Sequence, residues 1–280
     1  MNGKRVFITG ATSGIGKETA RGLARMGYSL VFTTHDKQRG IETQQELKES
    51  TGNPEIDVLF CDLGSFASVR RCAAEYQQRY PRLDVLINNA GVWDFHRRES
   101  EDGIERIFAV DYLAPFLLTN LLLETVRRSA PSRIVNVASG LHSGVIHFED
   151  LELKQGWSGM KAYRQAKLAV ILLTRLLAKR LAGSGVAVNC VQPGLARTNL
   201  ARDAPWAYRV GFRMFGKSPV VGAQTSIFVA SSPDVQNVSG EYFAKKQVSR
   251  SSDESYDMAV AQRLWDVSVT YVGLTETSDR

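Results

Sequence analysis

Short apolar segments alternate along the chain with longer segments in which apolar positions recur every three to four residues. The short segments are typical of strands buried on both faces of a sheet, and the longer ones are typical of helices with one buried face. The pattern predicts strands at residues 6–8, 30–32, 56–60, 85–87, 134–137 and 186–191, and helices at 15–26, 42–48, 69–80, 104–126 and 163–181. Right-handed crossovers between such strands give an α/β fold with a doubly wound parallel β-sheet flanked by helices.

The chain carries no internal repeat and no low-complexity linker, so its 280 residues are predicted to form a single domain, 1–280. The periodicity stops after Gly194, where proline and aromatic residues interrupt it: Pro205, Trp206, Phe212, Phe215 and Pro219. Loops beyond the carboxyl ends of parallel strands often contact ligands. We therefore expect a substrate-binding lid within 195–220, with ordinary packing of the aromatic side chains as the alternative.

The formal net charge is +6, but basic residues are interspersed with acidic ones and no block of five like charges occurs. This pattern is typical of a solvated surface and predicts no nucleic-acid partner, although part of the excess could serve an anionic cofactor. Cys61, Cys72 and Cys190 lie far apart and form no CxxC pair. Their spacing predicts neither a disulfide framework nor a metal site, and it favours a reducing compartment.

The first five residues lead directly into a predicted strand, which leaves no room for a signal peptide. No stretch approaches the roughly 18 consecutive apolar residues that a membrane span needs. The expectation is a cytoplasmic protein without a membrane span.

A glycine-rich turn, Thr9-Gly10-Ala11-Thr12-Ser13-Gly14-Ile15-Gly16, separates the first predicted strand from the first helix. Glycines let the backbone approach a pyrophosphate, and the helix N-terminus adds free N–H groups and a positive dipole end. The first two glycines are three residues apart, unlike those of the six-residue dinucleotide fingerprint. The turn predicts a dinucleotide site formed by Gly10, Thr12, Ser13, Gly14, Ile15 and Gly16, with a tight turn that binds no ligand as the alternative.

Further motifs follow in order: Asp62-Leu63, Asn88-Asn89-Ala90-Gly91, Ser139, Tyr163-x-x-x-Lys167, Pro193-Gly194 and Thr198. Together with the glycine turn, this set resembles the short-chain dehydrogenase/reductase family over residues 4 to 200. Residues 132–137, 146–148 and 263–268 are similar to those of its retinol dehydrogenase-like subgroup. The resemblance implies a Rossmann-type sheet and a nicotinamide-dependent oxidoreductase. Such an enzyme transfers a hydride between its cofactor and a lipophilic alcohol or carbonyl substrate.

The same resemblance implies which residues hold the cofactor. Asp62 and Leu63 would contact the adenine, and three further residues would lie along the adenosine ribose and pyrophosphate: Asn88, Ala90 and Gly91. Thr198 would contact the phosphate or the carboxamide. The implied binding residues beyond the glycine turn are His35, Asp62, Leu63, Asn89, Ala90, Gly91, Tyr163, Lys167, Pro193, Gly194 and Thr198.

The end of the second strand bears on the choice of cofactor. An acidic residue there binds the ribose hydroxyls and disfavours a 2′-phosphate. This chain has His35 there, where related reductases often carry arginine, and Lys37 and Arg39 follow. Asp36 comes one or two positions too late for the acidic role. Cationic side chains suit a phosphate, so we favour NADP(H) over NAD(H), with NAD(H) as the alternative.

Tyr163 and Lys167 are four residues apart on a predicted helix and therefore share a face. A free tyrosine is a poor base near neutral pH, but a neighbouring ammonium favours the phenolate and lowers its pKa. The lysine amine can also reach the nicotinamide ribose. Ser139 can donate a hydrogen bond to the substrate oxygen. These three residues are the predicted catalytic group.

Asp111 departs from the family pattern, which has an asparagine in the helix after the fourth strand. That asparagine helps to hold a water that links the catalytic lysine to solvent, partly through its backbone carbonyl. Asp111 keeps the shape and the carbonyl but adds a negative charge that could pair with Lys167. We count it as the fourth catalytic residue and expect an active enzyme with an altered pH profile.

Other function classes stay open. Asp111 favours a nucleotide-binding regulatory protein with impaired catalysis, whereas the intact catalytic residues favour the enzyme. A sugar-nucleotide epimerase shares the tyrosine–lysine pair but differs in its glycine turn and C-terminal domain. His142 follows Ser139 without the G-x-S-x-G elbow of hydrolases, which indicates a loop residue or a substrate contact.

The resemblance also implies a small-molecule alcohol or carbonyl as the partner. It further implies a homodimer or homotetramer that assembles through the helices at 104–126 and 163–181. The candidates for an apolar substrate pocket, with core packing as the alternative, are Trp93, Phe95, Trp157, Trp206, Phe212 and Phe215.

Overall fold

The computed structural model describes residues 3–194 and 218–275. Its strands are β1 (Arg5–Ile8), β2 (Ser29–Thr34), β3 (Ile56–Phe60), β4 (Val85–Asn88), β5 (Ser132–Val137), β6 (Val186–Gln192), β7 (Tyr242–Ala244) and β8 (Gln247–Val248). Its α-helices are α1 (Gly14–Arg25), α2 (Lys37–Thr51), α3 (Phe66–Arg79), α4 (Arg106–Phe108), α5 (Ala114–Arg128), α6 (Gly159–Arg180), α7 (Pro219–Ser231) and α8 (Met258–Tyr271).

The eight strands form one sheet in the order β3-β2-β1-β4-β5-β6-β7-β8. Neighbours from β3 to β7 pair in parallel, and β8 alone pairs antiparallel, with β7. The strand order reverses between β1 and β4, and ligands of such sheets bind beyond the carboxyl ends of the strands at that point. The predicted doubly wound sheet of Rossmann type is therefore confirmed.

Helices cover both faces of the sheet. One buried cluster joins α1, α2 and α7 to the sheet, and the other joins α3, α5, α6 and α8 to the opposite face. A strand covered on both faces is apolar at most positions, which explains the near-continuous apolar runs in the sequence.

Every predicted strand and helix is present, but the C-terminal third contains more than the periodicity indicated. Strands β7 and β8 are three and two residues long, too short to show a period. Helix α7 has no face that is distinctly more apolar than the others and so shows no helical pattern. The predicted lid falls almost wholly within residues 195–217, which lie outside the described part of the chain, as does Thr198.

The helix after β4 differs from the expectation in two ways. Residues Ala109–Leu113 form a π-helical turn between α4 and α5, and Asp111 lies in this turn. The whole segment Arg106–Arg128 is 23 residues long and apolar enough to cross a membrane, so the expectation that no segment reaches that length is wrong. However, 78% of its most apolar window is buried inside the fold, as in a core helix.

Candidate active site

The glycine turn fits closely against the end of β4. Gly10 has a φ of +69°, and a Cβ added there would lie 2.8 Å from the Ala90 Cβ. A Cβ on Gly16 would collide with the Gly10 carbonyl oxygen and the Asn89 side chain. Only glycine fits at these two positions, so the start of α1 presents bare backbone N–H groups to the crevice. This is the cradle that a pyrophosphate needs.

Asn89 joins this turn to β4. Its side-chain Nδ2 donates to the carbonyl oxygens of Thr9 (2.9 Å) and Gly10 (3.1 Å). The Thr9 hydroxyl accepts from the backbone N–H groups of Asn89 and Ala90. Asn89 therefore shapes the turn through direct bonds to its backbone.

Asn88 does not face the crevice, so the expectation that it lies along the cofactor is wrong. Its side-chain Nδ2 donates to Thr119 Oγ1 (2.9 Å) and to Asn136 Oδ1 (2.8 Å), both in the core. Alternate residues of a strand point to opposite faces, and Asn88 is the last residue of β4.

A cleft of about 370 Å³ opens at the point where the strand order reverses. Most of the predicted binding residues line it: Gly10, Thr12, Ser13, Gly14, Ile15, Gly16, His35, Asp62, Leu63, Asn89, Ala90, Gly91, Tyr163, Lys167 and Pro193. Ser139, Asp111 and Gly194 are not among its lining residues. Other residues that line the cleft were not predicted as site residues, among them Cys61, Asp94, Arg106 and Val110. A helical pattern could have found Arg106 and Val110, because they lie one turn apart on the helix that carries Asp111.

The end of the cleft near β2 is basic. His35 and Arg39 line it, whereas the Asp36 carboxylate accepts from the Arg39 backbone N–H (3.1 Å) and so caps α2. Lys37 lies over the Phe60 ring, 5.6 Å from its centre. Asp36 is therefore engaged at the helix terminus, and His35 and Arg39 are the charged or titratable side chains of this stretch that line the cleft.

Helix α6 carries Tyr163 and Lys167 into the opposite end of the cleft. The Lys167 Nζ lies 5.3 Å from the centre of the Tyr163 ring and 2.9 Å from Asp111 Oδ2. The backbone N–H of Val92 donates to Asp111 Oδ1 (2.7 Å). Gly91 leaves the space for this ion pair, since a Cβ there would lie 3.0 Å from the Asp111 carboxylate. The structure thus brings the three side chains together.

These three groups influence one another's protonation. Burial, the largest single effect, lowers the pKa of Lys167, but the Asp111 carboxylate and the Tyr163 phenol together raise it by more, so the pKa lies above its usual value. Burial raises the pKa of Tyr163; the Lys167 ammonium and the Ser139 hydroxyl lower it, while Asp111 adds to the rise, and the net shift is upward. In this arrangement Asp111 opposes the effect of Lys167 on the phenol.

Ser139 lies two residues past the end of β5. Its Oγ accepts a hydrogen bond from the Leu141 N–H (3.1 Å), which leaves the hydroxyl hydrogen for another acceptor. A hydroxyl in this state can donate to an oxygen that gains negative charge.

Aromatic rings stack behind the tyrosine. Trp93 stacks on Tyr163 with ring centres 5.1 Å apart, and Phe95 stacks on Trp93 at 5.7 Å. Trp93 lines the cleft. Trp157 donates to Glu105 instead (3.1 Å), and Trp206, Phe212 and Phe215 lie outside the described residues.

The comparisons with known proteins agree with this geometry. The family model of the short chain dehydrogenases matches residues 4–207. Retinol dehydrogenase 14 of Mus musculus is 45% identical over 98% of this chain and 87% of its own length, and polyprenol dehydrogenase of Homo sapiens is 35% identical over 97% and 86%.

Two solved structures are similar as well. An uncharacterised protein from Mycobacterium paratuberculosis has a TM-score of 0.80 and 31% identity, and the match covers 98% of this chain and 94% of that one. The NADP complex of RhlG from Pseudomonas aeruginosa has a TM-score of 0.71 and 26% identity, over 87% and 94%. The chain therefore belongs to the short-chain dehydrogenase family of NAD(P)-dependent oxidoreductases, within which it is similar to the retinol dehydrogenases.

Proposed function

We propose that the protein interconverts a lipophilic carbonyl compound and its alcohol with NADP(H). The observation that carries this proposal is the position of Tyr163, which lines the same cleft as the glycine turn, with Lys167 beside it and an aromatic ring stacked behind it. A phenol in that position can exchange a proton with a substrate oxygen at the mouth of the cofactor site.

The chain's own groups would act as follows. When bound, the nicotinamide supplies or accepts the hydride. Tyr163 gives its phenolic proton to the substrate oxygen during reduction and takes it back during oxidation. Ser139 donates its hydroxyl hydrogen to the same oxygen and stabilises the charge that develops there. Lys167 stabilises the phenolate, and Asp111 fixes the position of the Lys167 ammonium.

The preference for NADP(H) rests on the basic end of the cleft. His35 and Arg39 line the region where a 2′-phosphate would lie, and the Asp36 carboxylate is engaged in capping α2. A guanidinium can bind a phosphate through two parallel hydrogen bonds, so we assign the larger contribution to Arg39.

The preference for a lipophilic substrate rests on the aromatic stack. Trp93 stacks on the ring of Tyr163 and Phe95 stacks on Trp93, so the three rings form an apolar wall. Such a wall suits an extended apolar molecule, because rings bury large areas in contact with flat groups. Two of the similar proteins are named for lipophilic alcohols, retinol and polyprenol.

One observation favours a second function. The Asp111–Lys167 ion pair is buried, and a lysine neutralised in this way activates tyrosine less well. The competing proposal is a protein that binds the nucleotide for regulation and turns substrate over poorly.

Two experiments test these proposals, one for the cofactor and one for the chemistry. Titration with NADPH and NADH tests the cofactor: Arg39→Ala should weaken NADPH binding about tenfold and leave NADH binding unchanged. Lys37→Ala is the matched control, since Lys37 lies over Phe60. Equal affinity of the native protein for both nucleotides would contradict the NADP(H) preference.

Turnover tests the chemistry. The rate of aldehyde reduction with NADPH is measured for the native protein and for Tyr163→Phe, with retinal and small aromatic aldehydes as substrates. We expect turnover that the substitution abolishes. NADPH binding without turnover of any aldehyde would favour the regulatory function, and binding of neither nucleotide would overturn both.

A further inference from the structure

The carbonyl oxygen of Ser139 lies close to two hydrogen-bond donors, one in the same loop and one on β7. Ser139 lies in irregular backbone, and its carbonyl oxygen is 2.6 Å from His142 Nδ1 and 3.2 Å from the Tyr242 hydroxyl oxygen. The same Tyr242 hydroxyl is 2.7 Å from Gln192 Oε1. A phenol has one hydrogen to donate, and the shorter distance assigns it to Gln192. His142 is then the main donor to the Ser139 carbonyl.

The second ring nitrogen of His142 decides which tautomer is present. The backbone N–H of Ser252 donates to His142 Nε2 (2.9 Å), so Nε2 carries no hydrogen and Nδ1 carries it. The ring is buried, with 8% of the residue exposed, and burial lowers the pKa of His142. A neutral histidine with its hydrogen on Nδ1 satisfies both contacts at once.

The segment that contacts His142 Nε2 is itself hydrogen-bonded to helix α6, which carries Tyr163 and Lys167. Ser251, the neighbour of Ser252, accepts a hydrogen bond from Arg175 (3.0 Å), and Arg175 lies on α6 with Tyr163 and Lys167. The loop that carries Ser139 is thus connected through His142 and the segment after β8 to the helix that carries the phenol. The Ser252–His142 bond spans 110 residues of sequence and the Arg175–Ser251 bond spans 76.

We propose that His142 is a positioning residue that holds the backbone of Ser139 at a fixed place relative to Tyr163. This inference rests on the proposed function, in which Ser139 donates to the substrate oxygen. The Ser252 N–H keeps the hydrogen on Nδ1, and the Nδ1–H bond restrains the carbonyl of Ser139, so the hydroxyl is aimed before substrate arrives.

Two substitutions separate the roles of the two ring nitrogens of His142. The amide nitrogen of Asn takes the place of Nδ1, so His142→Asn can still donate to the Ser139 carbonyl. The amide of Gln reaches the place of Nε2, so His142→Gln can still accept from Ser252 but no longer donates to Ser139. We expect kcat to fall about 10- to 100-fold in His142→Gln, with KM for NADPH unchanged, and to stay within a few-fold in His142→Asn.

A double-mutant cycle distinguishes positioning from a general loss of stability. If His142 acts through Ser139, His142→Gln should cost nothing further in a Ser139→Ala background, because the hydroxyl that it aims is already absent. Tyr242→Phe removes only the weaker donor, so its loss of kcat should be smaller than that of His142→Gln.

Each outcome bears on one proposal. Equal losses from His142→Gln in both backgrounds, or equal kcat in the Asn and Gln variants, would overturn the role of His142. Full turnover by Ser139→Ala and Tyr163→Phe would overturn the proposed function itself. Circular dichroism of each variant shows whether it is folded, and the Asn variant provides the comparison if Gln does not fold.

Discussion

Replacing Asp111 by asparagine removes one buried negative charge from the active site and keeps the shape of the side chain. The Asp111 oxygen lies 2.9 Å from the Lys167 Nζ, which lies 5.3 Å from the centre of the Tyr163 ring. The carboxylate is therefore within about 8 Å of the ring centre, a distance at which two unit charges interact by about 2 kcal/mol at an effective dielectric constant of about 20.

That energy disfavours the phenolate in the native protein. About 2 kcal/mol corresponds to roughly a thirtyfold change in the ratio of phenolate to phenol. Alcohol oxidation needs the phenolate and rises with pH, whereas carbonyl reduction needs the phenol and falls at high pH. We therefore expect Asp111→Asn to move both limbs of the pH profile to lower pH and to speed oxidation at neutral pH by up to about thirtyfold.

The assay measures kcat/KM in both directions from pH 6 to 10 for the native protein, Asp111→Asn and the exposed control Asp266→Asn. Removing one partner of a buried ion pair costs about 3–5 kcal/mol of stability, so rates are read at a temperature where circular dichroism shows a folded variant. The control should reproduce the native profile, because a charge in water is screened.

Two results would refute the reasoning. Burial raises the pKa of Asp111, although Lys167 and the Val92 N–H lower it. If the pH profiles of the native protein and of Asp111→Asn coincide, Asp111 is already protonated and uncharged in the native protein. Limbs displaced to higher pH would mean that Lys167 loses its proton once its carboxylate partner is gone.

Three further predictions concern the turn, the aromatic wall and acid stability. Gly16→Ala should weaken NADPH binding roughly tenfold or more in a fluorescence titration, because the added Cβ would collide with the Gly10 carbonyl; native affinity would contradict the fit of the turn. Trp93→Ala removes the ring stacked on Tyr163 and should raise KM for an apolar aldehyde up to about tenfold, while KM for a small polar aldehyde stays the same; equal changes would argue against an apolar wall. Burial lowers the pKa of His142, so the unfolded chain takes up a proton first, and the free energy of unfolding in urea should be full above about pH 6.5 and fall towards pH 5. His142→Asn should flatten that dependence, and an unchanged slope would assign it to other groups.

Local features of the sequence were enough to predict the sheet and most of the cofactor cleft. A buried strand and an amphipathic helix each have their own period, so the alternation of apolar runs indicated the first six strands and the five helices that follow β1 to β5. Tyr163 and Lys167 share a helical face because they are four residues apart, and that spacing is preserved wherever the helix packs. The glycine turn could also be predicted from the sequence, because the backbone conformation that glycine permits is a local property.

The tertiary structure alone decided which side chains meet across the fold. Asn88 turns into the core while Asn89 binds the glycine turn, although the two are adjacent in sequence. The bond from Ser252 to His142 joins residues 110 positions apart. No period or motif encodes such contacts, because they depend on how separate elements pack and on which buried polar groups must find a partner once water is excluded.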